Sequence, residues 1–366
     1  MSAFVVKIGS STLVDPAGDI RGDVIEARVR ELVRLRRQGF RPVLVSSGAV
    51  ASGMGRLGMD ARPTALPDLQ ALAAVGQGVL FQRYVEAFSP HGVIPAQVLL
   101  TSADLDRRSS YVNARNTIVR LLDLGCVPII NENDTTATDE LTFGDNDVLA
   151  AQIAILIGAN RLLLLTDRDG LYVETGNGAE LIGDVPAGTR PTDLALADVP
   201  GGSGKGGISS KIAAAMMATS AGVGCVIASG ADEGVITAVA SGHHVGTRFS
   251  PAVKGEPAFK LWLRYAKPSL GRVLVDAGAV AALTGRGTSL LPVGVVGVEG
   301  SFAAGDAVDV ISATDRRSVG KGIAAMSAEE VRSVSGQRSE VVRERLPGGA
   351  AEVVHRDQFV LADEGR

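Results

Sequence analysis

The chain has 366 residues, of which 46% are hydrophobic and 21% charged, so it is long enough for two domains and too apolar for global disorder. Its formal net charge of −4 gives no general attraction to nucleic acid or to anionic membranes. Aromatic residues make up only 4%, which favours α/β packing over an aromatic-rich β-sandwich. Because we recognise neither a secretory leader nor a membrane-spanning apolar run, we expect a cytoplasmic protein whose two cysteines are free thiols.

Short apolar runs alternate with helical patterns over residues 3–265. The first run is the strand Phe4–Ile8, and the helix after it has Asp23 placed as its N-cap and Gly39 as its stop. The alternation predicts an α/β fold with a mainly parallel sheet, covered by helices on both faces, in which ligands bind beyond the carboxyl ends of the strands. Further strands are predicted at Pro42–Val45, Val93–Val98, Val127–Ile130, Arg161–Leu165 and Val223–Ala228.

The strand–helix rhythm breaks over Ser250–Pro268, where prolines and scattered charges interrupt it. Beyond the break, residues 269–345 carry short apolar runs between close Gly and Pro turns, such as Arg272–Val275 and Ala307–Ile311. This pattern is typical of a small β-rich module. We therefore predict two domains, residues 1–258 and residues 269–345.

Small polar clusters follow the first two strands. Lys7 lies inside an apolar strand, where an ammonium group is unfavourable unless it meets water or an anion, and Gly9-Ser10-Ser11 can bring backbone N–H groups close to a phosphate. Ser46-Ser47-Gly48-Ala49 follows the second strand and opens a helix, where a carboxylate or phosphate can bind. The alternatives are an exposed strand end for the lysine and plain helix capping for the Ser46–Ala49 turn.

Three later clusters have the same placement. Asn131-Glu132-Asn133-Asp134 comes after a buried strand, Gly144-Asp145-Asn146-Asp147 opens a helix, and Thr166-Asp167 ends the apolar run Leu162–Leu165. Turns and a helix cap are the alternative explanation. One cap needs only one side chain, however, which leaves most of the polar groups at the helix start unexplained.

The segment Gly201–Lys211 is rich in glycine and leads into an Ala-rich helix. It is not a Walker A loop, because Gly206 follows Lys205 where that motif needs Ser or Thr. A flexible linker is the alternative. Lys211 falls in the first turn of a helix, where the macrodipole disfavours a cation, and a bound phosphate would remove that penalty. The segment therefore favours phosphate binding.

The sequence carries no motif for a metal enzyme or a serine hydrolase. His243-His244 has no Cys or carboxylate neighbours at ligand spacing, and no Gly-x-Ser-x-Gly elbow occurs. We therefore assign no metal ion to protein side chains.

In their order along the chain, these clusters resemble the amino acid kinase family, and specifically its glutamate-phosphorylating members. The resemblance lies in Lys7, Ser46–Ala49, Asn131–Asp134, Gly144–Asp147, Leu164–Asp167 and Gly206–Lys211. Residues 269–345, including Ser289-Leu290-Leu291-Pro292, resemble the PUA module that bacterial members often carry. The implied fold is an amino acid kinase-like sandwich with a mainly parallel central sheet, followed by a small β-rich PUA domain.

The resemblance implies ATP-dependent phosphorylation of the γ-carboxylate of L-glutamate, which is the first step of proline biosynthesis. Lys7 and Lys211 would flank the transferred phosphoryl group, and Asp147 would hold both lysines. The residues implied in glutamate binding are Ser47, Gly48, Asn131, Asp134 and Asn146. The residues implied in ATP binding are Lys7, Gly9, Thr166, Asp167, Lys205, Gly206, Gly207, Ile208, Ser209, Ser210 and Lys211. Lys205 and Ile208 depart from the family, which has Thr and Met there, and this concerns only the grip on the nucleotide.

The resemblance also implies Mg²⁺ with ATP, a homo-oligomer and feedback inhibition by proline. Two alternatives stay open: a kinase of the same fold that acts on acetylglutamate, aspartate or uridylate, and an RNA-binding protein, since PUA modules occur in RNA-modifying enzymes. Positive and negative charges roughly balance in residues 269–345, and no basic stripe with aromatic residues is evident. We therefore expect weak RNA binding or none.

Overall fold

The computed structural model has a large, mostly parallel sheet in the unit Met1–Ala258 and a smaller sheet in the unit Phe259–Arg366. The structure describes residues 2–15, 18–106, 108–136, 146–176, 178–194, 196, 207–253, 257–265, 267–346 and 348–362. Within these ranges, none of the helices combines the length and the apolar character needed to cross a membrane.

Strands and helices alternate along most of the first unit. Its strands are β1 Ala3–Ile8, β2 Arg41–Val45, β3 Pro95–Leu100, β4 Val127–Glu132, β5 Arg161–Thr166, β6 Tyr172–Thr175, β7 Gly178–Leu181, β8 Asp184–Val185, β9 Gly224–Ser229 and β10 Thr247–Phe249. Its helices are α1 Ser10–Leu13, α2 Gly22–Arg37, α3 Ala49–Leu57, α4 Leu66–Phe88, α5 Ser102–Asp106, α6 Arg108–Asp123, α7 Asn146–Leu156, α8 Ile208–Ser220 and α9 Val235–Ala240.

Strand β1 lies in the middle of the large sheet, whose order is β3-β4-β2-β1-β5-β9-β10-β8. The strands from β3 to β9 in this order pair in parallel, whereas β10 is antiparallel to β9. The prediction of a mainly parallel sheet is confirmed. The chain passes from β1 to β2 on one side and later to β5 on the other, so the strand order reverses at β1. Ligands of α/β sheets bind at such reversal points, beyond the carboxyl ends of the strands.

Alternate side chains of β1 face opposite sides of the sheet. Phe4, Val6 and Ile8 are fully buried in a core cluster that includes apolar residues of α2, α4 and α9. Lys7 therefore points to the other face. On that face it meets Asp147 at the start of α7.

Helices α3 and α4 pack at very short range because each has a glycine against the backbone of the other. A Cβ added to Gly76 would overlap the carbonyl oxygen of Ala49, and one added to Gly53 would overlap that of Leu72. Any larger residue at either glycine would push the helices apart. The contact fixes α4 against the first turns of α3, which follow the turn at residues 46–48.

The second unit has strands β11 Ser269–Val275, β12 Val295–Gly300, β13 Ala307–Ser312, β14 Ser318–Ala324 and β15 Val354–Leu361. Helix α10 Ala258–Tyr265 begins at the last residue of the first unit, and α11 Ala277–Arg286, α12 Ala328–Val334 and α13 Ser339–Arg345 follow. The strand order is β12-β11-β13-β14-β15, and β11 and β13 form its parallel pair. This is the β-rich module expected from the sequence. Its last strand, β15, lies beyond the range 269–345 that we predicted for it.

The predicted start of α2 is wrong, because Asp23 is not the N-cap. The N–H of Arg21 donates to the carbonyl oxygen of Leu13 at 2.9 Å, which holds Arg21 outside the helix and lets the helix begin one residue before Asp23. Asp23 lies in the first turn, where its carboxylate still favours the positive end of the helix dipole. The predicted stop is confirmed, since Gly39 takes a φ of 88° just after the helix.

The end of β4 also differs from the sequence-based prediction. Strand β4 runs two residues further than predicted, because Asn131 and Glu132 still pair with β3. Asn131 is therefore the end of a strand rather than part of the following turn.

Cys126 and Cys225 are free thiols, as predicted. Cys126 is half-buried, and full burial raises the pKa of the Cys225 thiol.

Candidate active site

Two lysines and one aspartate meet beyond the carboxyl end of β1. Lys7 Nζ lies 2.7 Å from Asp147 Oδ1, and Lys211 Nζ lies 3.0 Å from Asp147 Oδ2, so each carboxylate oxygen holds one ammonium group. The Asp147 side chain is fully buried, and the side chains of Lys7 and Lys211 are only 5% and 11% exposed. We refer to these three residues as the lysine–aspartate cluster.

The charges of the lysine–aspartate cluster do not cancel. Burial alone would raise the pKa of the Asp147 carboxyl, but the ammonium groups of Lys7 and Lys211 outweigh burial and hold that pKa below its usual value. Two cations and one anion leave a formal net charge of +1. An anion is the ligand that this charge attracts.

Each member of the cluster sits near the end of its own element. Lys7 is the last residue but one of β1, Asp147 is the second residue of α7, and Lys211 is the fourth residue of α8. Helix α7 packs against both β1 and α8, which brings the three ends together. The dipole of α8 opposes a cation in its first turn, and the Asp147 carboxylate supplies compensating charge.

Asn146, which precedes the buried aspartate, is the centre of a second group. Its Nδ2 atom lies 2.8 Å from Ser46 O, 2.9 Å from Ser47 Oγ and 2.8 Å from Asn131 Oδ1. Asn131 in turn donates from its Nδ2 to Gln77 Oε1 at 2.6 Å. We refer to Ser46, Ser47, Gln77, Asn131 and Asn146 as the amide network.

Tyr84 of α4 supports the amide network from the core. Its hydroxyl lies 2.9 Å from Ser46 Oγ, and its side chain is fully buried. Burial raises the pKa of the Tyr84 phenol, although the hydrogen bond with Ser46 opposes the shift. The tyrosine is therefore a neutral hydrogen-bonding group.

The two other residues predicted to bind glutamate lie close by in the chain. Gly48 precedes α3 with a φ of 102°, a left-handed conformation that favours glycine. Asp134 lies in the turn after β4, where burial raises the pKa of its carboxyl to about 6 and the charge of Arg62 opposes the shift. Thus Asn146 contacts both Ser47 and Asn131, Gly48 shapes the turn, and Asp134 is a carboxyl of unusually high pKa.

Four of the residues predicted to bind ATP, namely Lys7, Gly9, Thr166 and Asp167, lie at or just after the carboxyl ends of β1 and β5. Thr166 ends β5, donates from Oγ1 to Asp167 Oδ1 at 3.0 Å, and accepts at its carbonyl oxygen from the N–H of Gly230 at 2.6 Å. A cavity of about 400 Å³ has Thr166, Asp167 and Gly230 in its lining, together with Ser11 of α1.

Gly9 and the remaining predicted ATP-binding residues flank the lysine–aspartate cluster. A Cβ added to Gly9 would lie 3.8 Å from Lys7 Nζ, so the backbone there is close to the cluster. Gly207 is the N-cap of α8, and the first turn of that helix holds Ile208, Ser209 and Ser210. Gly144, Asp145 and the stretch 201–206, which includes Lys205 and Gly206, lie outside the described residues.

Sequence reasoning missed Gln77 and Tyr84. Both lie on α4, which follows no strand end, so the rule that placed the other polar residues did not reach them. A sequence feature that marks this helix is Gly76-Gln77-Gly78, because glycine inside a helix is costly unless another backbone comes close. The structure shows that close approach at Gly76.

Within the part of the chain that the structure describes, no group of three His, Cys, Asp or Glu residues could hold a metal ion. The carboxylate nearest the centre of the site, Asp147, is already shared by two lysines. Mg²⁺ is usually bound through substrate phosphates, water and one or two carboxylates rather than by an all-protein cage. These side chains thus fit a metal that arrives with a nucleotide.

Comparisons with known proteins match both units. The model of the amino acid kinase family matches residues 2–229, and the model of the PUA domain matches residues 271–346. The first match covers the lysine–aspartate cluster and the amide network.

Curated relatives match nearly the whole chain and share one name, glutamate 5-kinase. The protein of Ectopseudomonas mendocina (strain ymp) is 43% identical, with 98% of this chain and 97% of that protein covered. The protein of Synechococcus sp. (strain JA-3-3Ab) is 44% identical, with 98% of each covered. The protein of Moorella thermoacetica (strain ATCC 39073 / JCM 9320) is also 44% identical, with 98% of this chain and 96% of that protein covered.

Proposed function

The chain belongs to the amino acid kinase family, and within it to the glutamate 5-kinases with a PUA domain, and from this membership we propose that it phosphorylates L-glutamate with ATP. The γ-carboxylate of glutamate receives the γ-phosphoryl group of ATP, which gives L-glutamyl 5-phosphate and ADP and begins proline biosynthesis. The observation that carries the proposal is the lysine–aspartate cluster, in which one buried carboxylate holds two ammonium groups at 2.7 and 3.0 Å.

The reaction brings two anions together, and the cluster is suited to that task. A carboxylate oxygen is already a nucleophile at pH 7, so the transfer needs no strong general base. The difficulty is the negative charge on the phosphoryl oxygens in the transition state, which preorganised cations stabilise. Lys7 and Lys211 supply those cations from two different elements. Asp147 holds both ammonium groups in place.

The amide network is suited to orienting the substrate for the transfer. Ser47, Asn131 and Asn146 present neutral polar groups where β2 and β4 end, next to the start of α7. Such groups fix a polar substrate without adding charge that would repel its carboxylates. The Asp134 carboxylate, when ionised, attracts the ammonium group of an amino acid. The site therefore fits a free amino acid with a side-chain carboxylate.

The nucleotide occupies the opposite side of the lysine–aspartate cluster in this proposal. Gly9 and the start of α8, from Gly207 to Ser209, offer backbone N–H groups to the phosphates, whereas the N–H groups of Ser210 and Lys211 already donate to the carbonyl oxygen of Gly207. Thr166 and Asp167, with Lys205 and Gly206, complete the predicted contacts with ATP. Mg²⁺ bound to ATP would supply positive charge that offsets the charge of the phosphates.

Family membership also supports several further proposals. Proline is the expected feedback inhibitor, the protein forms a homo-oligomer, and it works in the cytoplasm. We keep the expectation that the second unit binds RNA weakly or not at all. Tight, salt-sensitive RNA binding in a filter-binding measurement would contradict that expectation.

The proposed function is tested by ADP release in a coupled assay with Mg²⁺ and ATP. We expect release that depends on L-glutamate and stops when Mg²⁺ is chelated. N-acetylglutamate, aspartate and UMP serve as matched acceptors, because the other kinases considered for this fold act on them. Activity with one of these acceptors and none with glutamate would refute the proposal.

A further inference from the structure

Gln77 lies on α4, whereas the other members of the amide network lie near the ends of β2 and β4 or at the start of α7. We propose that Gln77 is a positioning residue for the amino acid substrate, because it orients Asn131 and, through Asn131, Asn146. The inference rests on the proposed function only in its naming of the substrate. The orientation itself follows from hydrogen bonds among the described residues.

The orientation of the Asn131 amide is set by groups whose roles cannot change. The backbone N–H of Glu132 can only donate, and it lies 2.9 Å from Asn131 Oδ1. The oxygen of the Asn131 amide is therefore on that side, and its Nδ2 faces Gln77. At 2.6 Å from this donor, the facing atom of Gln77 must be its oxygen.

The orientation of Asn146 is fixed by Ser46 and is compatible with only one orientation of Asn131. The carbonyl oxygen of Ser46 can only accept, so the atom of Asn146 that lies 2.8 Å from it is Nδ2. The same Nδ2 lies 2.8 Å from Asn131 Oδ1. If the Asn131 amide were turned over, two NH₂ groups would face each other. The acceptor oxygen of Gln77 favours the arrangement that avoids this conflict.

The helix that carries Gln77 is held firmly in place. Gly76, the preceding residue, packs directly on the backbone of Ala49 at the start of α3, so α4 cannot shift toward α3. Two turns further along α4, Tyr84 makes its hydrogen bond with Ser46. Helix α4 thus contributes two polar side chains to the amide network, seven residues apart on one face. Such spacing is expected for a support and not for a chance contact.

The role of Gln77 is tested by Gln77→Met, which keeps the length of the side chain and removes the acceptor. The matched control is Gln82→Met on the same helix, where the glutamine is exposed and donates to Glu86 at 3.2 Å. We expect Gln77→Met to raise the KM for glutamate about tenfold, since a buried donor loses its partner. The KM for ATP stays within about twofold, and Gln82→Met changes neither constant.

A rescue variant separates positioning from a loss of fold. Gln77→Glu keeps an acceptor oxygen at the same place but adds a negative charge that repels the carboxylates of glutamate, so we expect a partial rescue, with a KM for glutamate clearly below that of Gln77→Met. Equal values for Gln77→Met and Gln82→Met would overturn the inference. A parallel rise of both KM values in Gln77→Met, with no rescue by Gln77→Glu, would also overturn it.

A second readout does not depend on activity. With selective ¹⁵N labelling of asparagine in the full chain, the side-chain NH₂ resonances of Asn131 and Asn146 shift and exchange faster in Gln77→Met than in Gln82→Met. Unchanged resonances would refute the orienting role even if glutamate kinase activity is found. Conversely, wild-type protein that releases no ADP with glutamate would refute the proposed function, and the resonances would still decide whether Gln77 orients the two asparagines.

Discussion

The first two residues of α7 organise two different kinds of site. Asp147 gathers charged groups, and its carboxylate holds Lys7 and Lys211 at 2.7 and 3.0 Å. Asn146 gathers neutral groups, and its Nδ2 lies within 2.9 Å of three oxygen atoms from residues 46, 47 and 131. One helix start thus joins the lysine–aspartate cluster to the amide network.

The two regions rely on different physics. Coulomb attraction falls off slowly with distance, so the lysine–aspartate cluster acts on a phosphate wherever the phosphate lies between the lysines. Hydrogen bonds between amides need correct donors, acceptors and angles, so the amide network works only in one orientation. We therefore expect changes in the cluster to lower kcat, and changes in the network to raise the KM for glutamate.

The largest effect is expected from Lys211→Ala. We expect the loss of one of the two cations proposed to stabilise the transferring phosphoryl group to lower kcat about 10²–10³-fold, with a smaller change in the KM for ATP. Steady-state ADP release measures both constants. Lys260→Ala in α10, outside the first unit, is the control and leaves kcat unchanged. Near-normal turnover of Lys211→Ala would contradict the assigned role of the lysine–aspartate cluster.

The next largest effect is expected from Asp147→Asn. The amide cannot neutralise two ammonium groups, so Lys7 and Lys211 are left buried without their counter-charge, and we expect a loss of about 3 kcal/mol in the free energy of unfolding. We expect kcat to fall about 10²-fold because the lysines are no longer held in place. Thermal unfolding with and without ATP provides a sharper test, since phosphate supplies the missing negative charge. ATP should raise Tm more in the variant than in the wild type, and an equal rise would contradict this account.

The lysine–aspartate cluster could be predicted in part, because both of its lysines occupy positions that are unfavourable for a cation. A lysine within an apolar strand and a lysine in the first turn of a helix each need an anion, and both needs are visible in the sequence. That the two lysines share Asp147 was implied only by the family resemblance, and the structure places the Asp147 carboxylate against both. Contacts between residues 7, 147 and 211 depend on the packing of β1, α7 and α8, which no local pattern encodes.

The amide network was predicted only in part, for the same reason. Ser47, Asn131 and Asn146 follow or end predicted elements, so the rule for parallel sheets places them at one edge. Gln77 and Tyr84 lie inside a long helix, where the sequence predicts an ordinary exposed residue or an ordinary core residue. Their role arises from the close contact between α3 and α4, which is a property of the folded chain.

The third prediction concerns Asp134 and the pH dependence of kcat/KM for glutamate. Burial raises the pKa of the Asp134 carboxyl from 3.8 to about 6, against the opposing charge of Arg62. In the proposed function the ionised form attracts the ammonium group of glutamate, and on that proposal kcat/KM for glutamate should fall about tenfold between pH 7 and pH 5 as the carboxyl is protonated. In Asp134→Asn this inflection near pH 6 disappears. An inflection that persists in the variant would assign the titration to another group.

Ionisation of the Asp134 carboxyl lowers the stability of the fold, whereas it raises the expected activity. Because the folded protein binds the Asp134 proton more tightly than the unfolded chain, this group stabilises the fold fully below pH 4. Its contribution is lost as the pH rises from about 4 to about 6. A wild-type stability curve in which Asp134→Asn removes a decline over that range would support this account. A variant curve parallel to the wild-type curve would contradict it.

The smallest effect is expected from Tyr84→Phe, which tests whether the core side of the amide network matters for the substrate. The change removes the hydroxyl that lies 2.9 Å from Ser46 Oγ, while Ser46 can still donate to the carbonyl oxygen of Ser47 at 3.4 Å. We expect the KM for glutamate to rise about fivefold, with kcat and the KM for ATP unchanged. Tyr172→Phe, whose hydroxyl donates to the exposed Asp169 at 3.2 Å, is the matched control and should change none of these constants. A fall in kcat without a rise in the KM for glutamate would show that the network also aligns the reacting carboxylate, and the division of labour between the two regions would then be wrong.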